Sequence, residues 1–554
     1  MTVAAPSVDP TAPDAARAAF DRWRGRVASD PLADDAHLVH VLRGAGHADA
    51  LETLRPFARR CATALDAWAI ETNLPENLPS LRRWSATGVR TESVVFHPLY
   101  DAIGRETWAT GVMARYATPG QEVVSLATAY LLGQNGEAGH CCPLACTAGM
   151  IKVLQAAPGA PPAWLERLLD PAWEGRWHAS QFLTEVQGGS DVGANALRAV
   201  EGPPEALADG VTTPWRLYGE KWFCSVIDAR LFLATARPEG ARAGTAGLTA
   251  FVVPRSLPDG APNGFTIRRL KDKLGTRSMA SAEVDFVGAL ALPVADFRLT
   301  LDLVLNTSRL YNAVVAAGVL HRAWREAAAY AAERRAFGSR LLDLPTIARV
   351  VANLRTEAHA ARGLSFALAE AADRAAVGRA EPGEPEARRF LVNCNKIWTA
   401  TTCPAGVRSA IEVLGGNGAI EAFSVLPRLL RDAIVLEAWE GGHGVLCAQL
   451  LRDAQRLGLH RPAFAWLRRQ PGADLGALDE QQSRFERVIV RPDAEAHIRD
   501  AVESLRPVAQ AACLDPARDP VEAAARRHLL VTNARGWDPL EDPDLSARVA
   551  TLAG

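Results

Sequence analysis

The chain has 554 residues, of which 48% are hydrophobic and 22% are charged, and its formal net charge at pH 7 is −2. These proportions are those of an ordinary globular protein, and the nearly balanced charge excludes a general attraction to nucleic acid or to an anionic membrane. Because the length exceeds what one hydrophobic core comfortably holds, we predict two to four domains.

The N-terminal segment and the apolar stretches were compared with the patterns of secretion signals and membrane spans. The chain does not start with a basic segment followed by an apolar one, so we expect no secretion signal. No stretch of about twenty apolar residues lacks a charge, so we expect no membrane span and a cytoplasmic location. Nine cysteines, an odd number, favour reduced thiols over a disulfide framework.

One cluster combines residue types that bind metals: His140, Cys141, Cys142 and Cys146. It lacks the second pair of ligands that a structural zinc site needs, and it lies in an apolar pattern with helical spacing. We therefore interpret these side chains as packing residues and predict no metal site.

The pattern of apolar residues changes along the chain and predicts an α+β fold. Residues 1–180 have helical spacing and predict an N-terminal helical domain, whereas residues 181–297 contain short β-rich segments and predict a middle antiparallel β domain. Long helices return over residues 298–456 as a C-terminal helical bundle. Residues 457–554 predict an extra C-terminal helical extension.

The most informative stretch is Phe182–Val192, with the sequence FLTEVQGGSDV. Its two glycines allow a ligand to come close to the main chain, and Thr184 and Ser190 offer hydroxyl groups. By itself the same pattern also fits a simple hairpin turn. About thirty residues downstream, Gly219–Val226 reads GEKWFCSV and carries a further hydroxyl, Ser225. The two segments could hold one flat ring system between them.

Together these segments resemble the flavin-binding strands of the acyl-CoA dehydrogenase family, which read TEPxAGSD and GxKxWIT, and they are most similar to its AidB-like branch. The resemblance covers roughly residues 90–456 and implies the predicted three-domain order, an FAD cofactor and an acyl-CoA or related substrate. It also implies that six residues of the two segments bind the cofactor: Leu183, Thr184, Ser190, Phe223, Cys224 and Ser225.

A third segment, Glu333–Gly338, reads ERRAFG and resembles the family motif ERxxFG. The resemblance implies that Arg334 and Phe337 reach the FAD of a neighbouring subunit, and hence that the protein is a homotetramer built as a dimer of dimers. A guanidinium group suits a pyrophosphate, although an arginine at a helix end can equally interact with the last carbonyls of that helix.

The glycine-rich segment Leu414–Gly418 resembles the LGGxG turn of the family, in which Gly415 and Gly416 present backbone to the adenosine half of the cofactor. It follows a helical pattern and not a strand, so it is no fingerprint of a nicotinamide site.

The last motif is Trp439–Gly444, with the sequence WEGGHG. A carboxylate between an indole ring and glycines is desolvated on one side, which raises its pKa toward that of a useful base. The resemblance implies that Glu440 removes the α-proton of an acyl thioester while the β-hydrogen leaves as hydride to flavin N5. The alternative is that Glu440 only caps the following helix.

Some members of the family place the base on an earlier helix, where this chain has Ser308, so the comparison leaves Glu440 as the candidate. The resemblance also places Ser190, Ser308 and Arg309 against the substrate. The chain departs from the family at several positions: Phe223 replaces a tryptophan, Asn306 replaces an aspartate, and Gly442 replaces a threonine.

Three other functions stay open. The same fold serves flavin-dependent oxidases and monooxygenases, an AidB-like protein could associate with DNA, and a flavin-free helical scaffold would make the motifs coincidental. Residues 451–554 contain about 15 basic and about 16 acidic side chains, which disfavours DNA binding because that requires an excess of basic residues. The pairs Arg468-Arg469 and Arg526-Arg527 remain possible DNA contacts.

Overall fold

A computed structural model describes residues 13–294, 297–534 and 536–554. The first part of the chain folds into helices. These helices are α1 (Pro13–Val27), α2 (Ala36–Gly44), α3 (Ala50–Cys61), α4 (Ala64–Thr72), α5 (Pro98–Trp108), α6 (Glu122–Gly133), α7 (Ala138–Ala156) and α8 (Pro162–Leu169).

A hairpin of β1 (Ser80–Trp84) and β2 (Arg90–Val95) interrupts the predicted helical domain, and the sequence does not predict this hairpin. Most of its residues are exposed, so the sequence has none of the alternation of apolar and polar residues that marks a half-buried strand.

The middle part of the chain forms one eight-stranded sheet. Its strands are β3 (Ala179–Phe182), β4 (Arg198–Ala208), β5 (Val211–Ser225), β6 (Leu231–Pro238), β7 (Thr249–Pro254), β8 (Phe265–Leu270), β9 (Ser281–Leu290) and β10 (Leu292–Val294). The order across the sheet is β10-β7-β6-β4-β5-β9-β8, and β3 pairs with β6.

The sheet is antiparallel, as predicted, except at one edge of β6. Both β3 and β4 pair with that edge in parallel, first Ala179–Phe182 and then the start of β4. The chain therefore leaves the sheet after Phe182 and returns to the same edge at Arg198. The loop of residues 183–197, which carries the first glycine-rich motif, connects these two strands outside the sheet.

The helical bundle begins with α9 (Phe297–Glu333), and a short hairpin of β11 (Arg335–Ala336) and β12 (Ser339–Arg340) follows. The bundle continues with α10 (Pro345–Ala376), α11 (Glu384–Leu414), α12 (Leu426–Ala438) and α13 (His443–Leu457). Among the described residues α9 is the one helix long and apolar enough to cross a membrane by length and composition, and 83% of its apolar window is buried inside the protein. It is the central helix of the core.

In residues 457–534 and 536–554 the extension forms five helices: α14 (His460–Arg468), α15 (Leu475–Ile489), α16 (Ala494–Ala512), α17 (Pro520–Thr532) and α18 (Leu545–Ala553). Helices α14, α16, α17 and α18 pack on α10 or α11, and α15 packs on α16. The indole nitrogen of Trp398 in α11 donates to the carbonyl of Val502 over 2.9 Å, and Arg506 pairs with Glu357 of α10 over 2.6 Å. The extension is thus continuous with the bundle core.

Candidate active site

The β sheet, α7, α9 and the turn between α12 and α13 enclose a cavity of about 1260 Å³. A pocket for one small ligand typically holds roughly 300–1,000 Å³, so this cavity has room for two ligands side by side. Eight of the residues predicted from the motifs line it: Leu183, Thr184, Ser190, Phe223, Ser225, Ser308, Arg309 and Glu440. Segments that lie far apart in the sequence therefore meet at one site.

The two segments that carry glycines and hydroxyl groups, residues 182–192 and 219–226, lie directly beside each other. The backbone N–H of Trp222 donates to the carbonyl of Thr184 over 2.9 Å. Gly189 packs against Thr184 so closely that a Cβ at this position would lie 2.6 Å from the threonine hydroxyl. Only glycine leaves Thr184 in place at the cavity wall, which explains the residue type at this point of the loop.

A buried ion pair that the motif analysis did not single out holds this loop in shape. The ammonium of Lys221 donates to the carboxylate of Glu185 over 2.7 Å, and both side chains are almost fully buried. The same carboxylate accepts the backbone N–H groups of Ala196 and Leu197. Burial lowers the pKa of Lys221, and the neighbouring Glu185 opposes this effect. The pair thus closes the loop of residues 183–197 at its base.

Strand β5 supplies Trp222 to the cavity where its pairing with β9 is irregular, and it also supplies the alternate residues Phe223 and Ser225. Cys224 lies between them, and its side chain packs in the core of the β domain, away from the cavity. The structure therefore gives the Cys224 side chain a packing position and not a place among the cavity groups. The ammonium of Lys271 lies 3.6 Å from the centroid of the Trp222 ring and 4.8 Å from that of Phe223.

Glu440 lies in the turn between α12 and α13 with a φ angle of +58°. A left-handed backbone at a residue other than glycine costs roughly 1–3 kcal/mol and is found mainly at functional sites. Burial raises the pKa of Glu440, and the cations Arg309 and Lys396 oppose that rise. Helix α13 begins at His443, and the residue at its N-cap is Gly442, so Glu440 does not cap this helix.

Two buried cations hold the Glu440 turn in place. The ammonium of Lys396 donates to the carbonyls of Glu437 and Gly441 over 2.8 Å and 2.9 Å. The guanidinium of Arg309 donates to the carbonyl of Glu440 over 3.0 Å, and also to the side chains of Asn393 and Gln449. Because both cations bind carbonyls, the Glu440 carboxylate stays available to the cavity.

The remaining wall comes from α7 and α9. Cys142 and Cys146, one helical turn apart on α7, line the cavity with their sulfur atoms 4.0 Å apart. The contact with the Cys142 thiol and burial both raise the pKa of Cys146, so it is a protonated packing group. All nine cysteines of the chain are buried and unpaired. The described residues contain no group of three His, Cys, Asp or Glu side chains that could hold a metal ion.

Besides Cys224, four of the predicted cofactor residues lie outside this cavity: Arg334, Phe337, Gly415 and Gly416. Phe337, in the turn of the β11–β12 hairpin, is 96% exposed and has a φ angle of +52°. The guanidinium carbon of Arg334 lies 5.4 Å from the centroid of the Phe20 ring. Gly415 and Gly416 end α11, and no atom lies within 4 Å of where a Cβ would stand on either of them. Phe337, Gly415 and Gly416 are exposed on the surface of the subunit, whereas Arg334 is half-buried against Phe20.

The paired arginines of the extension bind groups of the same chain. Arg468 pairs with Asp479 and Arg469 with Glu381, over 2.7 Å and 2.9 Å. Arg526 donates to the carbonyl of Gly472 over 2.7 Å, and Arg527 contacts Asp544. Both pairs are therefore used inside the subunit, which leaves them less suited to bind phosphates.

Comparison with known protein families covers most of the chain. Residues 26–175 match the adaptive response protein AidB N-terminal domain, residues 180–288 match the acyl-CoA dehydrogenase middle domain, and residues 297–455 match the acyl-CoA dehydrogenase C-terminal domain. The AidB protein of Escherichia coli (strain K12) is 34% identical over 394 residues, which is 68% of this chain and 69% of that protein.

Solved structures show the same architecture. The apo form of the protein Bd2924 superimposes with a TM-score of 0.81 at 27% identity, and the match covers 88% of this chain and 97% of that one. ACDH-11 of Caenorhabditis elegans, solved in complex with C11-CoA, superimposes with a TM-score of 0.77 at 22% identity, over 95% of this chain and 90% of that one. The family matches, the identity to AidB and the shared fold together show that the chain belongs to the acyl-CoA dehydrogenase family of FAD-dependent oxidoreductases.

Proposed function

We propose that the protein oxidises an acyl thioester between Cα and Cβ, with Glu440 as the base that removes the α-proton. The observation that carries this proposal is the shared cavity, which brings Glu440 together with the hydroxyl groups of Thr184, Ser190 and Ser225. A base and a ring-binding wall in one enclosed space are what α,β-dehydrogenation requires.

The cavity wall fits an FAD cofactor by its chemistry. Thr184 and Ser225 offer hydroxyl donors for ring nitrogens and carbonyls, Phe223 offers an aromatic face, and the glycines of the 183–197 loop allow close approach to the backbone. Bound FAD would supply the hydride acceptor that protein side chains lack. These residues would hold and orient the ring, and α7 and α9 would keep water out.

The turn at Glu440 provides the rest of the chemistry. Burial favours the neutral carboxyl group, and Arg309 and Lys396 partly restore the carboxylate, which gives a base that still binds a proton well. After it has taken the α-proton, Glu440 is neutral, and its buried position favours that form. In this proposal a main-chain N–H group of the turn supports the negative charge that develops on the thioester oxygen.

The test is Glu440→Gln, which keeps the side-chain volume and removes the base. We expect the variant to fold and to retain FAD, and we expect flavin reduction by an acyl-CoA to slow by about 10²- to 10⁴-fold. The measurement is anaerobic mixing with the acyl-CoA that reduces the parent fastest, followed by flavin absorbance. Equal rates for the parent and the variant would refute the role of Glu440.

If no acyl-CoA reduces the parent, dehydrogenation is not the reaction. An oxidase or monooxygenase on the same fold would then be recognised by rapid reaction of the reduced protein with oxygen.

A further inference from the structure

Three polar side chains of the β domain form a chain of hydrogen bonds along the cavity wall. The ammonium of Lys273 lies 3.2 Å from the hydroxyl oxygen of Ser281, and that oxygen lies 3.0 Å from the hydroxyl oxygen of Ser225. All three residues line the cavity. Lys273 is also fixed by the bond it donates to the carbonyl of Met279 over 2.6 Å.

Chemistry sets the direction of these bonds. An ammonium group can only donate, so Ser281 must accept from Lys273. The hydroxyl proton of Ser281 then has two acceptors in reach, the hydroxyl of Ser225 at 3.0 Å and the thioether sulfur of Met279 at 3.7 Å. The hydroxyl oxygen is nearer and is the stronger acceptor. Ser281 therefore donates to Ser225, and the proton of Ser225 is free to be donated into the cavity.

We propose that Lys273 is a positioning residue that acts through Ser281 to hold Ser225 as a hydrogen-bond donor toward the flavin. This inference rests on the proposed function for the location of the ring in the cavity. A hydrogen-bond donor that already points at the flavin ring stabilises the reduced ring, because the protein need not reorganise when negative charge develops there. It should therefore raise the reduction potential of the bound flavin.

The neighbouring groups support this role for Lys273. Burial lowers its pKa to about 8, whereas Cys142, Asp432 and Glu137 act in the opposite direction, so the ammonium form prevails at pH 7. The other lysine of the segment, Lys271, lies outside the hydrogen-bond chain. It pairs with Glu283 over 2.9 Å and stands over the Trp222 ring.

The experiment measures the reduction potential of the FAD-bound protein by dithionite titration with a reference dye, which needs no acyl substrate. The variants are Lys273→Met, Ser281→Ala and the double variant. If the three residues form one chain, each single change and the double change should lower the potential by a similar amount, since the second change removes nothing further. We expect about a tenfold weaker preference for the reduced flavin, which is roughly 30 mV for a two-electron couple.

Three results would overturn the proposal. A shift in Lys273→Met with none in Ser281→Ala would mean that Lys273 acts by its charge alone. Additive shifts would mean two separate effects. Unchanged potentials in the folded Ser281→Ala variant would mean that the contact is only structural, and this small change decides the matter even if Lys273→Met fails to fold. If the reduction potentials shift as expected but no acyl-CoA reduces the flavin, the proposed reaction is refuted. The hydrogen-bond chain from Lys273 to Ser225 is then still supported.

Discussion

At the level of single residues, the turn at Glu440 explains why its carboxylate faces the cavity. The left-handed backbone at Glu440 would relax if the turn were free, but the bonds from Lys396 and Arg309 to its carbonyls hold it. The sequence identifies Glu440 through its motif. It does not reveal the buried Lys396, which lies 44 positions earlier on another helix and donates to main-chain carbonyls of the turn.

Removal of the Arg309 charge should move the pH dependence of the reaction. Arg309 lowers the pKa of Glu440, so Arg309→Gln should leave the base protonated up to a higher pH. Since only the carboxylate removes a proton, the rise of the flavin reduction rate with pH should shift to higher pH. Arg309→Lys is the matched control, because it loses the forked geometry but keeps the charge. Anaerobic reduction rates across the pH range measure both, and identical profiles for Gln and parent would contradict the prediction.

A second carboxyl group should make stability depend on pH. Glu137 is buried, and burial raises its pKa from 4.5 to about 7. It accepts hydrogen bonds from Thr72, Asn73 and Ser278, so it joins α4 and α7 to the segment after β8. The folded form binds the proton more tightly than the unfolded form. Its contribution to stability is therefore complete below pH 4.5 and is lost as the pH rises to about 7.

Glu137→Gln tests this effect because glutamine does not titrate. The stability of the parent should fall relative to that of the variant between pH 4.5 and 7, by up to about 3 kcal/mol. Denaturant unfolding of both proteins at several pH values gives the difference. A constant difference across this range would show that Glu137 does not carry the proton.

At the level of elements, the sequence predicts strands well where one face is buried. The sequences of β5 to β9 are alternating or apolar and predict strands, and the structure confirms these strands. The sequence does not predict strand β4, because this segment contains Gly202-Pro203-Pro204, which normally ends a strand. The structure places these residues in an irregularity of the β4–β5 pairing between Glu201 and Glu205, where no regular ladder bond is needed.

The residues of the candidate site, too, could be predicted only where the local sequence carries the signal. Residues in contiguous motifs, such as Thr184, Ser225 and Glu440, could be found from the sequence. Residues that act across strands could not: Lys273 and Ser281 meet Ser225 only because β5 and β9 pair in the register that sets Ser225 opposite Ser281. Local patterns carry no information on that register.

The extension should stabilise the bundle as part of one core. Leu505 of α16 is 1% exposed and belongs to the same hydrophobic cluster as Trp398 of α11. Leu505→Ala should therefore lower the free energy of unfolding by about 2–5 kcal/mol. The control is Val490→Ala, also in the extension but 79% exposed, which should stay within about 0.5 kcal/mol of the parent. If denaturant unfolding gives equal values for the two variants, the extension folds separately from the bundle.

At the level of the whole molecule, the subunit displays groups that suit a neighbour. Phe337 is almost fully exposed and adopts a left-handed backbone, two features that cost free energy in an isolated subunit. The same hairpin follows Arg334, and the open glycines Gly415 and Gly416 end α11. All four residues would contact the cofactor if another copy of the chain packed its cofactor site against them.

We therefore expect a homotetramer in which Arg334 and Phe337 complete the cofactor site of another subunit. Light scattering should give about four times the chain mass of 59.3 kDa. Phe337→Asp places a charge at the centre of this contact, and charges at the core of an interface are strongly disfavoured. It should reduce both assembly and FAD retention. Leu540→Asp is the matched control, since Leu540 is 92% exposed on the extension, and it should change neither property. A monomer with full flavin occupancy would contradict the prediction, because the site would then be complete within one chain.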